Sequence, residues 1–315
     1  MTSDTVTDFS PSRIAVIGAG PVGCVVAASL ANAGHEVILC DMVQDLLAPA
    51  MDPGIRVEGS IETGGRVAHT VTSLDALAND PPELIFITTK ATALPLIASA
   101  METFHRPGIY VVSWQNGLDT ERVLAEHLGK EWVFRAAVNF GVSLLGPAHV
   151  RMSFNHPPHW LQESHESAKP IASAICELMT NAGLPTNHAE SLVNHVWGKT
   201  ILNAALGPVC GVTGKTMSQV LRDPFLNDLV EKLLKEGITV ARANEIHLGW
   251  DYYYRAMDYL KSAGNHKPSM LVDIESGRIT EAEFINGRIA RYADIAGMEA
   301  PYNIMMRGLV KSLEA

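Results

Sequence analysis

The sequence reads as an α/β fold in two parts, an N-terminal domain built on a parallel sheet and an all-helical domain after it. Three observations carry this reading. Up to about residue 140, apolar runs of strand length alternate with helical patterns; a glycine-rich turn follows the first of those runs; and from about residue 190 the pattern becomes almost wholly helical.

Taken in order, the strands are Ile14–Ile17, Glu36–Cys40, Leu84–Thr88, Ile109–Ser113 and Trp132–Val138, separated by helical stretches. Between the second and third lie Ile55–Glu58 and Arg66–Ala68, each bounded by glycine, which read as an edge hairpin. Val150–Leu161, with His156-Pro157-Pro158-His159 inside it, reads as strand, turn, strand. Ala168–Asn181 is a helix ended by Gly183 and Pro185. Further helices follow at Leu192–Ala205, Met217–Leu221, Leu226–Asn244, Tyr252–Lys261 and Glu281–Ala296.

The change of period places the domains at residues 13–189 and 190–315, with residues 1–12 a polar, mobile tail that lacks the marks of a secretory signal. No low-complexity linker joins the domains, so close packing around a cleft is expected. With 315 residues, 47% hydrophobic and 18% charged, the chain can bury two cores.

A net charge of −10 and no run of Lys or Arg argue against nucleic acid and anionic membranes as partners, leaving a small molecule. The most apolar stretch, Ile201–Val212, is too short to span a bilayer and is broken by Gly207-Pro208. Cys24, Cys40, Cys176 and Cys210 are scattered without a CxxC pair, as in a reduced cytoplasmic protein.

The turn Gly18-Ala19-Gly20-Pro21-Val22-Gly23 is a dinucleotide-binding signature of the Rossmann type. Its glycines serve a tight turn, close approach of backbone to a pyrophosphate, and tight packing of helix on strand. A second strand ends at Asp41, 23 positions after Gly18, where a carboxylate accepts hydrogen bonds from ribose hydroxyls and repels a 2′-phosphate. Met42-Val43-Gln44 brings no arginine to bind such a phosphate, so NAD is favoured and NADP remains possible.

Four further segments carry a resemblance: Thr89-Lys90-Ala91, Gln115-Asn116-Gly117, Trp197-Gly198-Lys199 with Asn203, and Pro268-Ser269-Met270-Leu271 through Thr280-Glu281 to Asn286-Gly287. In order and spacing the set resembles the ketopantoate reductase (2-dehydropantoate 2-reductase) family, over nearly the whole chain. The resemblance implies a Rossmann domain followed by a helical domain like the C-terminal part of 6-phosphogluconate dehydrogenase. It also implies hydride transfer from NAD(P)H to the C2 ketone of a 2-oxo acid, a role in pantothenate biosynthesis and a homodimer. By the same resemblance Lys199 is the catalytic lysine, Glu281 a catalytic or substrate-binding glutamate, Ser269 and Asn203 substrate contacts, and Lys90 and Asn116 contacts near the cofactor, with Asn116 reaching the substrate as well.

Elementary chemistry agrees. Hydride arrival puts negative charge on the ketone oxygen, and a fixed ammonium both stabilises that charge and supplies a proton. Lys199 and Asn203, four apart on one helix, share a face. Plainer readings exist for the others: an N-cap for Ser269, a first-turn carboxylate for Glu281, a turn for Asn116-Gly117 and an exposed strand end for Lys90.

One departure stands out. Where the family has a second asparagine four residues after Asn203, this chain has Gly207, on the face of Lys199 and Asn203. The expectation is open space there and a 2-oxo acid with a larger or less polar tail, with Trp250, Tyr252, Tyr253, Tyr254 and Tyr259 as candidate pocket walls. No metal is expected; His156 and His159 read as a turn, and His195 and His266 as flanking residues. Two other functions fit the glycine turn, an NAD(P) sensor without chemistry and a related dehydrogenase acting on a 3-hydroxy acid or an imine.

Overall fold

The computed structural model describes residues 9–262 and 264–314. By its internal contacts the chain divides into two units. The first takes the chain up to Thr89, Ala93–Gln115 and Thr120–Leu192; the second takes Lys90–Thr92, Asn116–Asp119 and the chain from Val193 onward.

The first unit runs β1 (Arg13–Ile17), α1 (Pro21–Asn32), β2 (Glu36–Cys40), α2 (Gln44–Pro49), β3 (Ile55–Gly59), β4 (Thr63–Gly65), β5 (His69–Val71), α3 (Asp75–Ala78) and β6 (Leu84–Ile87). It continues with α4 (Leu94–Met101), β7 (Tyr110–Ser113), α5 (Thr120–Leu128), β8 (Val133–Ala137), β9 (Phe140–Gly146), β10 (His149–Asn155), β11 (His159–Glu163), α6 (Lys169–Asn181) and β12 (Thr186–His188). Eight strands form the main sheet in the order β12-β11-β8-β7-β6-β1-β2-β5, parallel except where β11 meets β8. β1, β2 and β6 are apolar without alternation and almost fully buried, as strands covered on both faces must be. β1 lies between β2 and β6, so the chain reverses its direction of travel across the sheet there, the place where open α/β sheets bind ligands.

The expected edge hairpin is corrected in two ways. Its second strand is Thr63–Gly65 rather than Arg66–Ala68, and it belongs to a separate four-stranded sheet, β4-β3-β10-β9, in which β3 runs parallel to β10. The physical reason is close packing on α1: a Cβ on Gly65 would sit 2.7 Å from the Ala28 carbonyl oxygen, so this strand carries no apolar side chain to betray it. β10 and β11, expected as the arms of one turn, lie in different sheets. Of the expected tail, residues 1–8 lie outside the described residues. Its last part is engaged: Phe9 packs edge-on against Tyr110 with ring centroids 5.0 Å apart, and the Ser12 hydroxyl donates to Glu83 at 2.8 Å.

The second unit is helical: α7 (Val193–Thr213), α8 (Met217–Arg222), α9 (Pro224–Ala243), α10 (Tyr252–Ser262), α11 (Ser269–Glu275), a wide π-type turn over Glu283–Gly287, α12 (Arg288–Ile295) and α13 (Pro301–Lys311). Local signals set the boundaries. Thr216 and Gln219 form a capping box at the start of α8, and the Asp223 carboxylate accepts the Phe225 N–H at 3.0 Å to start α9 before Pro224. α9 packs closely on α7 because Gly237 faces Ile201; a Cβ there would lie 3.1 Å from Ile201 Cγ1. α7 itself is a correction, since it passes through Gly207-Pro208 without ending. A proline inside a helix leaves the carbonyl four residues back without its N–H. Here that carbonyl belongs to Ala204, and Asn286 Nδ2 donates to it at 3.0 Å. Among the described residues no helix is long and apolar enough to cross a membrane.

Candidate active site

In the first unit the site is the turn between β1 and α1. Gly18 has φ +110°, and a Cβ on it would lie 2.8 Å from the Thr89 nitrogen. A Cβ on Gly23 would fall 1.8 Å from the Gly18 carbonyl oxygen. Both glycines are thus demanded by the chain itself. Gly20 is not: its φ is an ordinary −72° and a Cβ there would meet nothing within 4 Å. It is the N-cap of α1, where the first N–H groups of the helix have no side-chain cap and are of a kind that could hold a pyrophosphate. Thr88 Oγ1 ties β6 to this turn, donating to the Ile17 and Gly18 carbonyls at 2.9 and 3.0 Å.

Asp41 stands at the same turn. Its Oδ2 accepts the Ala19 N–H at 2.7 Å and its Oδ1 the Val43 N–H at 2.9 Å, so the carboxylate is pinned in place with a lone pair left on each oxygen. Nearby Cys24 and Cys40 are buried, and burial first, then the Asp41 charge, pushes each thiol up to about 12. They are inert packing groups.

The second unit holds the remaining candidates. Lys199 and Asn203 are both half-buried and one turn apart on α7. The turn carrying Glu281 begins where the Glu281 carbonyl accepts the N–H groups of Phe284 and Ile285, both at 3.0 Å. The Glu281 side chain is buried, 6% exposed, and each of its oxygens is held: Oε1 accepts the Ala91 N–H at 3.2 Å and Oε2 the Asn116 amide at 3.4 Å. Asn116 and Glu281 are therefore brought together, and Lys90 is the residue before Ala91. Asn116 in turn is placed by its successors: the Leu118 N–H donates to the Phe284 carbonyl at 3.0 Å, Asp119 accepts the Tyr292 hydroxyl at 2.6 Å, and Arg288 lies 3.5 Å from the same carboxylate. Gly117, with φ +95°, is what lets this segment lie against Phe284.

Sequence reasoning missed one residue of this unit and the work of two others that it named. The buried Asp273 binds the Lys90 ammonium at 2.5 Å and Arg278 at 3.2 Å; inside an apolar helical run a single acid gave no signal. The buried Asn286 and Tyr252 serve α7, Tyr252 by donating its hydroxyl to the Gly198 carbonyl at 2.6 Å, next to Lys199.

Several expectations change. Gly207 is buried, and a Cβ there would fit in ordinary contact with Met270, 3.8 Å from its Cβ and 3.9 Å from its Sδ. Ser269 is not an N-cap. It is the exposed first residue of α11, Pro268 occupies the cap position, and no side-chain cap bond is made. The aromatic run divides: Tyr252 is core, Tyr253 donates to Glu231, while Trp250 and Tyr254 are 89% and 66% exposed. His159 is buried and accepts the Asn139 N–H through Nδ1, His156 is exposed, and the described residues contain no cluster of metal-ligating side chains. His195 and His266 are exposed, and partial burial lowers the His195 pKa.

Comparison with known proteins agrees with this geometry in both units. The family model for Ketopantoate reductase PanE/ApbA matches residues 14–164, and that for its C-terminal part matches residues 191–314. The 2-dehydropantoate 2-reductase of Pyrococcus abyssi is 27% identical over 308 residues, covering 96% of this chain and 98% of the relative. That of Pyrococcus horikoshii is 28% identical over 303 residues, with the same coverage. Among solved structures, a PanE/ApbA family ketopantoate reductase from Ralstonia eutropha superimposes with a TM-score of 0.85 at 26% identity, covering 96% of this chain and 98% of that one. D-mandelate dehydrogenase with NADH and anilino(oxo)acetate shares the fold, with a TM-score of 0.86 at 22% identity and the same coverage.

Proposed function

The chain belongs to the ketopantoate reductase family of NAD(P)-dependent oxidoreductases, and from that premise we propose that it reduces the C2 ketone of a 2-oxo acid with Lys199 as general acid. The observation that carries this is the helical unit's own constellation: Lys199 and Asn203 one turn apart on α7, and a buried Glu281 carboxylate held by the Ala91 N–H and the Asn116 amide.

The dinucleotide, when bound, supplies the hydride. Everything else falls to side chains. The Lys199 ammonium stabilises the charge that develops on the ketone oxygen and donates the proton that completes the alcohol. Asn203 offers an amide to the same ligand. Glu281 favours the charged form of a neighbouring ammonium or accepts a substrate hydroxyl. Ser269 and Asn116 complete the substrate contacts. Gly18 to Gly23, Asp41, Lys90 and Asn116 hold the cofactor.

Asp41, an acceptor with no arginine in the residues after it, supports NADH over NADPH. Gly207 beside the Met270 thioether, where relatives of the resembled pattern carry an amide, supports a substrate tail less polar than that of ketopantoate. Loss of one polar contact costs a polar substrate about 1–3 kcal/mol. On the family resemblance we assign the working form as a cytoplasmic homodimer.

The test is optical: oxidation of NADH and NADPH with a panel of 2-oxo acids that includes ketopantoate. Turnover with 2-oxo acids, faster with NADH and at least as fast with less polar tails, is the expected result. No oxidation with any acid despite measurable cofactor binding refutes the activity; a clear preference for ketopantoate refutes the tail assignment alone.

A further inference from the structure

The helix that carries Lys199 and Asn203 contains Pro208, which cannot donate to the Ala204 carbonyl. Ala204 is buried and directly follows Asn203. A buried carbonyl without a donor is costly, so something must take it up. Asn286 does so, and it is fully buried as well.

The direction of the Asn286 amide is fixed by its partners. Nδ2 donates both to the Ala204 carbonyl at 3.0 Å and to Asn303 Oδ1 at 2.9 Å, and a flipped amide would turn an oxygen toward two acceptors. Asn303 is itself anchored, because its backbone N–H and its Nδ2 both donate to Glu236 Oε1, at 2.7 and 2.8 Å. Among the described residues Asn286 Oδ1 has no hydrogen-bond partner, so the residue serves there as a double donor. Asn286 also ends the short turn that starts at Glu281, whose internal bonds include Phe284 and Ile285 to the Glu281 carbonyl and the Gly287 N–H to the Ala282 carbonyl at 2.9 Å. One compact turn thus carries the Glu281 carboxylate at one end and the grip on α7 at the other.

We propose that Pro208 and Asn286 form a positioning pair for the reaction: the proline frees the Ala204 carbonyl, and Asn286 takes it, locking the turn that bears Glu281 to the stretch of α7 that bears Lys199 and Asn203. The inference rests on the assignment of those three residues made above. It gives the proline in the middle of α7 a purpose, since in an unbroken helix the Ala204 carbonyl would already hold its helical N–H and would depend far less on Asn286.

The test is a double-mutant cycle read in kcat, cofactor KM and melting temperature. Asn286→Leu keeps the branching of the side chain and removes both donors; it is expected to lower kcat about tenfold or more while cofactor KM stays within about twofold. Pro208→Ala restores the helical N–H, so in that background Asn286→Leu is expected to lower kcat by less than about threefold. A residue that only filled space would leave kcat unchanged in Asn286→Leu, and that result overturns the proposal. So does an equal loss in both backgrounds. If Asn286→Leu is insoluble, Asn286→Ala, which also has no donor, carries the same cycle. Lys199→Ala, assayed alongside, separates the two claims: full activity there sinks the catalytic assignment, whereas a dead Lys199→Ala beside an unimpaired Asn286→Leu sinks only the positioning pair.

Discussion

Replacing Gly117 by alanine tests how tightly the Asn116 segment is held. Gly117 has φ +95°, and a Cβ built there would lie 2.7 Å from the Phe284 carbonyl oxygen and 2.8 Å from Phe284 Cβ. Neither neighbour is the free end of a flexible chain, so the segment itself must move. The forced backbone conformation costs roughly 1–3 kcal/mol. Stretching the 3.0 Å bond from the Leu118 N–H to the Phe284 carbonyl adds about 0.5–1.5 kcal/mol. A total of about 1.5–4.5 kcal/mol corresponds to a fall of roughly 3–18 °C in the melting of the helical unit, followed by circular dichroism. Catalysis should suffer as well. The Asn116 amide lies 3.4 Å from Glu281, so a shift of a few tenths of an ångström breaks that bond and leaves the carboxylate held by the Ala91 N–H alone. Melting within about 1 °C of the parent together with undiminished kcat would show that the segment is not clamped as described.

Other expectations are simpler. Tyr252→Phe removes the hydroxyl that donates to the Gly198 carbonyl and should cost about 1 kcal/mol in urea unfolding, with a loss of kcat because Lys199 is the next residue; an unchanged midpoint contradicts the bond. For Glu314, burial alone would raise the carboxyl, but Lys311 and the Thr280 hydroxyl and backbone N–H outweigh it and hold the pKa below 4.5. A lowered folded pKa gives stability that is present above the ordinary carboxylate value and lost as the pH falls through the folded one. Glu314→Gln should therefore melt below the parent near neutrality, and the two curves should converge below pH 4.5; a gap that persists in acid contradicts the assignment.

Much of this was legible in the sequence where the physics is local. Gly18 is required by its own φ of +110° and Gly23 by the Gly18 carbonyl five residues away, so their spacing announces the turn. The long helices show their period, and Lys199 and Asn203 share a face because they are four apart. What escaped depends on partners far along the chain or on backbone without side chains. β4 has two glycines and β5 is His69-Thr70-Val71, so neither carries an apolar alternation. The passage of α7 through Pro208 is invisible without Asn286, which is 82 positions from the carbonyl it satisfies. At Gly207 the sequence could not say that Met270 of another helix lies beside it.

The central claim, reduction of a 2-oxo acid with Lys199 as proton donor, is tested most directly by Lys199→Ala with the best acid of the panel. The account expects kcat to fall by about 10²- to 10⁴-fold while NADH binds with the affinity shown by the parent protein. Turnover equal to the parent's would contradict it.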